Sequence, residues 1–250
     1  MTNEGFFFGF TYPFKCIKFF FSHPKIITYS ITPIIINLLI YGSIFIFSYA
    51  WVIGTIGQLT GVSQLDAGFW TELLHIILLI AGFLLLLITC YLAFVILGGI
   101  ITAPFNEKIS QMVEEIVTNE KVMSDLGFWK DAYISIKAEI EKLVFYFSFL
   151  FIFFLINFIP IIGTIVSVSL GTVFSFLYNA LDFLDYPMTR KLIPFKQKLR
   201  VTRKGGMLTY GFGCIAFLMM FLPIVNVFMK PILVAAGTSL FFEKGYNIIL

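Results

Sequence analysis

Four long stretches of this 250-residue chain consist almost wholly of apolar residues. Ile26–Tyr49 and Leu73–Ala103 contain no Asp, Glu, Lys or Arg. Each is long enough for a helix that crosses a hydrocarbon core of about 30 Å, which takes ~20 residues. Leu143–Leu181 is equally free of these charges, and Gly206–Phe242 contains only Lys230. The pattern predicts an all-α integral membrane protein with two long transmembrane helices and two further membrane segments.

The small share of charged residues excludes the common classes of soluble protein. Charged residues make up 12% of the chain and hydrophobic residues 59%, whereas about 25% of a typical soluble domain is charged. A soluble enzyme and a disordered tail are therefore excluded. The chain has no nucleophile-elbow, P-loop or zinc-protease motif, so we expect no enzymatic activity. Cys16, Cys90 and Cys214 lie far apart without a CxxC pair, so we expect no disulfide framework, no metal and no cofactor.

The third and fourth apolar stretches are each interrupted near the middle. Pro160 and Gly163 divide the third stretch, and Pro223 and Asn226 divide the fourth, since proline disrupts the helical hydrogen-bond ladder. The sequence FIPII at the first interruption resembles FLPIV at the second. Duplicated helix–break–helix units with short halves are found near the substrate path of transporters. Two ordinary helical hairpins with proline in their turns would give the same pattern, and six full spans or two spans plus two half-penetrating hairpins both remain open.

The distribution of basic residues predicts the orientation of the chain in the membrane. Segments 1–25, 104–142 and 182–204 carry all the Lys and Arg except Lys230 and Lys244, while segment 50–72 carries none. Because Lys and Arg are enriched on the cytoplasmic side, we expect both termini and the three basic segments to be cytoplasmic.

Each basic segment has an expected structure of its own. Segment 1–25 should lie at the membrane interface, with an amphipathic helix over Thr11–Ser22 that begins near Pro13. Segment 104–142 should form amphipathic cytoplasmic helices after a kink at Pro104. Segment 182–204 should be a basic loop that joins the two broken hairpins and contacts anionic lipid rather than nucleic acid.

Several short motifs occur in the order and spacing of one family of membrane proteins. They are A-P-F-N at Ala103–Asn106, P-x-x-x-N at Pro33–Asn37, F-I-P-x-x-G at Phe158–Gly163, D-Y-P…P-F at Asp185–Phe195, and the hairpin from Phe221 to Thr238. The ordered set covers nearly the whole chain and resembles the CysZ-type sulfate permeases, bacterial members of the etoposide-induced membrane protein superfamily. The resemblance implies a homo-oligomer of the bacterial inner (plasma) membrane, with two full spans and two half-penetrating helix pairs. It also implies import of sulfate for cysteine biosynthesis.

The chain departs from the family pattern just before the first span. Typical members carry a G-[IL]-R-R-like segment there that is associated with sulfate binding, whereas this chain has Lys25-Ile-Ile-Thr28. The paired arginines, and with them bidentate recognition of an oxyanion, are missing. Lys25 and Thr28 are candidates at this position, although Lys25 would equally serve as an interfacial anchor. Two function classes remain: an oxyanion channel or permease, and a non-transporting organiser or assembly protein of the same superfamily.

Polar residues at membrane depth are the remaining candidates for an anion path. Lys230 is either a residue of this path or a lysine whose ammonium reaches the interface. A second group is expected at the cytoplasmic mouth, where its members would form an ion network or simply cap and pair helices. The candidates in this group are Asn106, Glu107, Asp182 and Asp185, with Arg190 or Lys191 as the cation.

Overall fold

The computed structural model describes residues 5–60, 68–121, 127–160, 162–221 and 223–246, and all regular structure within these ranges is helical. Eight helices occur in this part of the chain. They are α1 (Phe6–Phe21), α2 (Pro24–Thr60), α3 (Phe69–Thr118), α4 (Phe128–Ile156), α5 (Gly163–Arg190), α6 (Phe195–Lys204), α7 (Gly206–Phe221) and α8 (Pro223–Glu243). The predicted all-α class is confirmed.

Three of the described helices, α2, α3 and α5, are long and apolar enough to cross a membrane. The pair α6 and α7, bent by 103° at their junction, would be a fourth if the pair counts as one span. Large apolar side chains on α2 and α3 are exposed along much of their length, as expected for helices that face lipid instead of water. The membrane class predicted from the apolar stretches is confirmed.

The helix formed by the second apolar stretch continues further along the chain than predicted. Pro104 lies inside α3, which runs unbroken from Phe69 to Thr118, so this proline does not end a helix. A proline removes one backbone donor, and a helix can absorb that loss by a local kink. The amphipathic segment after Pro104 is therefore the last third of α3, with Ile109 and Val113 fully buried on its inner face.

The interruptions of the third and fourth apolar stretches lie between helices. The helix α4 ends at Ile156, the chain turns through 157–160, and α5 begins at Gly163. A Cβ at Gly163 would collide with the carbonyl oxygen of Ile156, so the close return of the chain needs glycine. In the second case α7 ends at Phe221 and α8 begins at Pro223, while position 222 lies outside the described residues.

Asn226 differs from its predicted role as a break. It lies in the first turn of α8, and its Nδ2 donates a hydrogen bond to the carbonyl oxygen of Met220 at 3.3 Å. The side chain therefore links the two helices across the break, because it satisfies one of the carbonyl groups left without a partner at the end of α7.

The segment predicted as a basic loop, 182–204, is helical except for 191–194. Its first half continues α5 to Arg190 and is buried from Asp182 to Thr189. Its second half is α6. The sequence suggested a loop because the segment is rich in charge, but several of these charges are paired inside the protein and allow the helix to be buried.

The chain divides into two compact units, Met1–Thr32 with Thr102–Leu250, and Pro33–Ile101. The larger unit contains the core, where α1, α5, α7 and α8 pack together. The interfacial helix predicted from Pro13 onward begins earlier, at Phe6, and Pro13 is buried inside it. One face of α1 packs on α7 while Phe14 and Phe21 on the other face are exposed. In the smaller unit, Thr60 Oγ1 lies 2.7 Å from His75 Nδ1, which joins the end of α2 to the start of α3.

Candidate functional site

Eight acidic and basic side chains form two largely buried ion-paired groups within the larger unit, one around Arg190 and one around Lys142 and Lys198, and together we call them the internal ion cluster. They come from four helices: Glu107 and Glu114 from α3, Glu139 and Lys142 from α4, Asp182, Asp185 and Arg190 from α5, and Lys198 from α6. The spacing within each helix explains the assembly, because residues three, four, seven or eight apart share one helical face.

Arg190 joins the end of α5 to α3. Its Nη1 donates to Glu107 Oε1, and its Nε and Nη2 both donate to Glu114 Oε2, with the Nε bond at 2.9 Å. Its Nη2 also donates to Ser110 Oγ at 3.2 Å. Ser110 Oγ in turn accepts a hydrogen bond of 2.8 Å from Thr238 Oγ1 of α8. The guanidinium is thus surrounded by acceptors and has no free edge for an external anion.

Lys142 joins α4 to α5. Its ammonium lies 2.5 Å from Asp182 Oδ1, 2.8 Å from Glu139 Oε2 and 3.6 Å from Asp185 Oδ2, and the residue is only 1% exposed. Burial by itself lowers the pKa of Lys142, but the carboxylates of Asp182 and Glu139 more than offset this and hold that pKa well above its ordinary value. The lysine is therefore charged at neutral pH.

Lys198 joins α6 to the same carboxylate group. Its Nζ lies 2.7 Å from Asp185 Oδ1 and donates to Thr189 Oγ1 at 2.6 Å. Thr189 Oγ1 donates to Asp185 Oδ2 at 3.0 Å. Asp185 therefore contacts the ammonium groups of both Lys142 and Lys198, and it links α4 and α6 to its own helix.

The internal ion cluster carries more negative than positive charge. Five carboxylates, those of Glu107, Glu114, Glu139, Asp182 and Asp185, share three cations. Among the described residues, Glu107 Oε2 is buried without a hydrogen-bond partner. A dianion would meet net repulsion here, so the chemistry of this cluster suits helix cross-linking better than direct anion binding.

The structure brings together five of the predicted residues. Glu107, Asp182, Asp185 and Arg190 belong to the internal ion cluster, and Asn106 lies beside it, with its Nδ2 donating to Tyr186 Oη at 3.2 Å. Arg190 pairs with Glu107 of this predicted group. Asp185 contacts lysines of α4 and α6 instead of Arg190.

Lys25 and Thr28 lie outside the internal ion cluster. Both are exposed in the first turns of α2, and Thr28 Oγ1 donates to the carbonyl oxygen of Pro24 at 3.2 Å. In the described part of the chain Lys25 forms no ion pair. Its ammonium is thus available to a ligand, unlike those of the cluster lysines.

Sequence reasoning missed four members of the cluster: Glu114, Glu139, Lys142 and Lys198. They lie in segments that the sequence pattern predicted to be amphipathic cytoplasmic helices or a basic loop. One signal was present for Lys142, which lies three residues after Glu139 and directly before an apolar stretch. Its other partner, Asp182, is distant in sequence, so this ion pair could not be predicted without knowing how the helices pack. No group of three or more side chains in the described residues is arranged to hold a metal ion.

Comparison with known proteins agrees with the ordered motifs. A sequence model of the family described as "Sulfate transporter CysZ/Etoposide-induced protein 2.4" matches residues 12–231. The chain belongs to this family. The match includes all the helices that contribute to the internal ion cluster and ends just after Lys230.

Relatives within the family are similar over nearly their whole length. A protein of Vibrio parahaemolyticus named sulfate transporter CysZ is 29% identical over 230 residues, which cover 88% of this chain and 89% of the relative. Relatives with the same name from Vibrio atlanticus and Pectobacterium atrosepticum are 28% and 26% identical, covering 94% and 91% of this chain. The matched regions also cover 92% and 82% of the lengths of these two relatives, so the similarity is not limited to a shared fragment.

Proposed function

We propose that this protein is a permease for sulfate or a similar oxyanion, which imports sulfate for cysteine biosynthesis. The observation that carries the proposal is the similarity, over 88% of the chain, to a relative named sulfate transporter CysZ. That name favours transport over the role of a membrane organiser. The proposed activity is movement of an ion and involves no catalytic chemistry.

The cations outside the internal ion cluster are the proposed contacts for the anion. Sulfate carries two negative charges and enters a low-dielectric path only where fixed positive charge compensates for lost hydration. The cluster cations are already neutralised by carboxylates, so the proposed contacts are the two predicted site lysines outside the cluster, Lys25 at the start of α2 and Lys230 in α8. Thr28, one turn after Lys25, adds a hydroxyl group to the proposed entry.

Two helix N-termini at the breaks would add partial positive charge. The helix α5 begins at Gly163 without a side-chain hydrogen bond at its cap, and α8 begins at Pro223. Each N-terminus acts as roughly half a positive charge and favours an oxyanion. In this proposal the internal ion cluster serves a different purpose, because it holds α3, α4, α5 and α6 in fixed relation around the path.

The proposed arrangement in the membrane follows from helix length. After Lys142 the uncharged part of α4 has about 14 residues, or roughly 21 Å at 1.5 Å per residue, and α7 has 16 residues. Both are shorter than the ~20 residues that a full span requires. We therefore propose two full spans and two half-penetrating hairpins, with both termini cytoplasmic, in a homo-oligomer of the bacterial inner membrane.

Growth rescue tests this function in cells. The chain is expressed in a bacterial strain that lacks its own sulfate uptake and is grown with sulfate as sole sulfur source. Growth is expected to be restored, and cysteine supplied to the strain with an empty vector gives the matched control for viability. A strain that makes the protein in its membrane yet grows only on cysteine would contradict the proposal.

A further inference from the structure

The exposed face of α6 carries four bases that no other described side chain neutralises. Lys196, Arg200, Arg203 and Lys204 are exposed, and none of them takes part in an ion pair among the described residues. With Leu199 they line an open notch of about 380 Å³. The helix has ten residues and no acidic residue, so nothing on it offsets this charge.

The opposite face of α6 fixes the helix in place. Lys198 is paired with Asp185 of the internal ion cluster, and Val201 and Thr202 are 1% and 0% exposed. Because residues at positions 196, 200, 203 and 204 lie on the other side of a 3.6-residue helix, the internal pairing determines which bases point outward. The notch is therefore a feature of a fixed helix and not of a free basic tail.

The geometry of the junction between α6 and α7 relates this basic face to the headgroup layer of a membrane. The two helices meet at 103°, and Gly206 at the junction has a φ of +57°, a conformation that glycine adopts without strain. The helix α7 carries no charged residue, and its Met207 and Phe221 are 64% and 70% exposed. If α7 enters the hydrocarbon, a helix at about a right angle to it lies along the membrane surface.

We propose that the notch formed by Lys196, Arg200, Arg203 and Lys204 binds the phosphodiester headgroup of an anionic phospholipid. Leu199 lies beside the acyl-chain side of the ligand, and the four bases surround its negative charge. Guanidinium groups suit this role because they form paired hydrogen bonds with phosphate oxygens. The site is independent of the proposed sulfate transport, since none of its residues belongs to the proposed anion path.

A binding titration with a matched variant tests the proposal. A fluorescent short-chain phosphatidylglycerol is titrated into the purified full chain in neutral detergent, and anisotropy gives the Kd. The variant Lys196→Gln/Arg200→Gln/Arg203→Gln/Lys204→Gln is expected to bind at least about tenfold more weakly, because each base near an anionic lipid adds to the attraction. The control Lys108→Gln/Lys121→Gln/Lys130→Gln/Lys137→Gln removes the same charge from four exposed lysines elsewhere and should bind within about twofold of the parent.

Three results would overturn the proposal. One is equal binding by the parent and the α6 variant, and another is equal loss in the control variant, which would indicate a general charge effect. The third is displacement of the lipid by inorganic sulfate at equal concentration, which would identify a free oxyanion as the ligand. Should the fourfold variant fail to fold, Arg200→Gln and Arg203→Gln are measured singly, and each is expected to weaken binding about two- to threefold.

Discussion

Lys142 illustrates how single residues determine the stability of this fold. A lysine that is 1% exposed is tolerated because three carboxylates lie within 4 Å of its ammonium. Sequence alone placed Lys142 at the edge of an apolar stretch and gave it no partner, since its strongest partner, Asp182, is forty positions away. Burying an ammonium group of this kind costs free energy, and the group remains charged only while its carboxylate partners are present.

Lys142→Met is expected to destabilise the protein by about 3–5 kcal/mol, because three carboxylates would lose their common cation. Thermal unfolding of the purified protein in detergent measures the change as a large drop in the unfolding midpoint. Lys137→Met is the matched control, since Lys137 is an exposed lysine of the same helix, and it should leave the midpoint almost unchanged. Similar midpoints for both variants would show that the Lys142 pairs do not stabilise the fold.

At the scale of helices, sequence patterns located the apolar segments well and their ends poorly. Apolar stretches are recognised locally, so the long helices and the turn near Pro160 could be predicted from residue type and spacing. The continuation of α3 past Pro104 and of α5 to Arg190 depends on contacts between distant segments, above all the pairing of Arg190 with Glu107 and Glu114. Such tertiary pairing outweighs the local signals that polar residues and proline give for a helix end.

The packing of α7 on α5 depends on a glycine. A Cβ at Gly213 would collide with the carbonyl oxygen of Phe176, so Gly213→Ala must push the two helices apart. We expect a loss of about 1–3 kcal/mol in the free energy of unfolding, measured by thermal unfolding. Gly54→Ala in α2 is the control, because nothing lies within 4 Å of the added Cβ and alanine favours helix. If Gly213→Ala is as stable as Gly54→Ala, the helices are less closely packed than described.

The orientation of the helices can be tested by cysteine labelling from outside the cell. In a variant whose three native cysteines are replaced by alanine, a membrane-impermeant maleimide should label Gln58→Cys, at the exposed end of α2. It should not label Lys196→Cys until the membrane is permeabilised, because the basic segments are expected on the cytoplasmic side. The reverse labelling pattern would show that the termini face outward.

At the scale of the whole molecule, the structure separates the charges that hold the helices together from those that remain available. The larger unit contains three cations that are fully paired, and Lys25 and Lys230 are not members of those pairs. The sequence motifs predicted the family and the region of the site, because the motif order is a property of the chain. They could not assign the pairing, because that depends on which helical faces meet in three dimensions.

The variant Lys25→Gln/Lys230→Gln is therefore expected to reduce sulfate flux at least about tenfold while the protein still folds, since the path would lose its fixed positive charge. Each single change should give a smaller reduction. The flux is measured with labelled sulfate in proteoliposomes, and Lys108→Gln/Lys137→Gln, which alters two exposed lysines outside the proposed path, is the control. Flux at the parent rate in the double variant would rule out these two lysines as the anion contacts.

Uptake of radiolabelled sulfate by proteoliposomes that contain only the parent protein tests the permease assignment most directly. The chain belongs to a sulfate transporter family, and a dianion needs a protein path to cross hydrocarbon. Both facts predict sulfate uptake. Uptake down a sulfate gradient should clearly exceed that of protein-free liposomes and should fall when unlabelled sulfate competes. Uptake equal to that of protein-free liposomes, with the protein folded and inserted, would contradict the permease assignment.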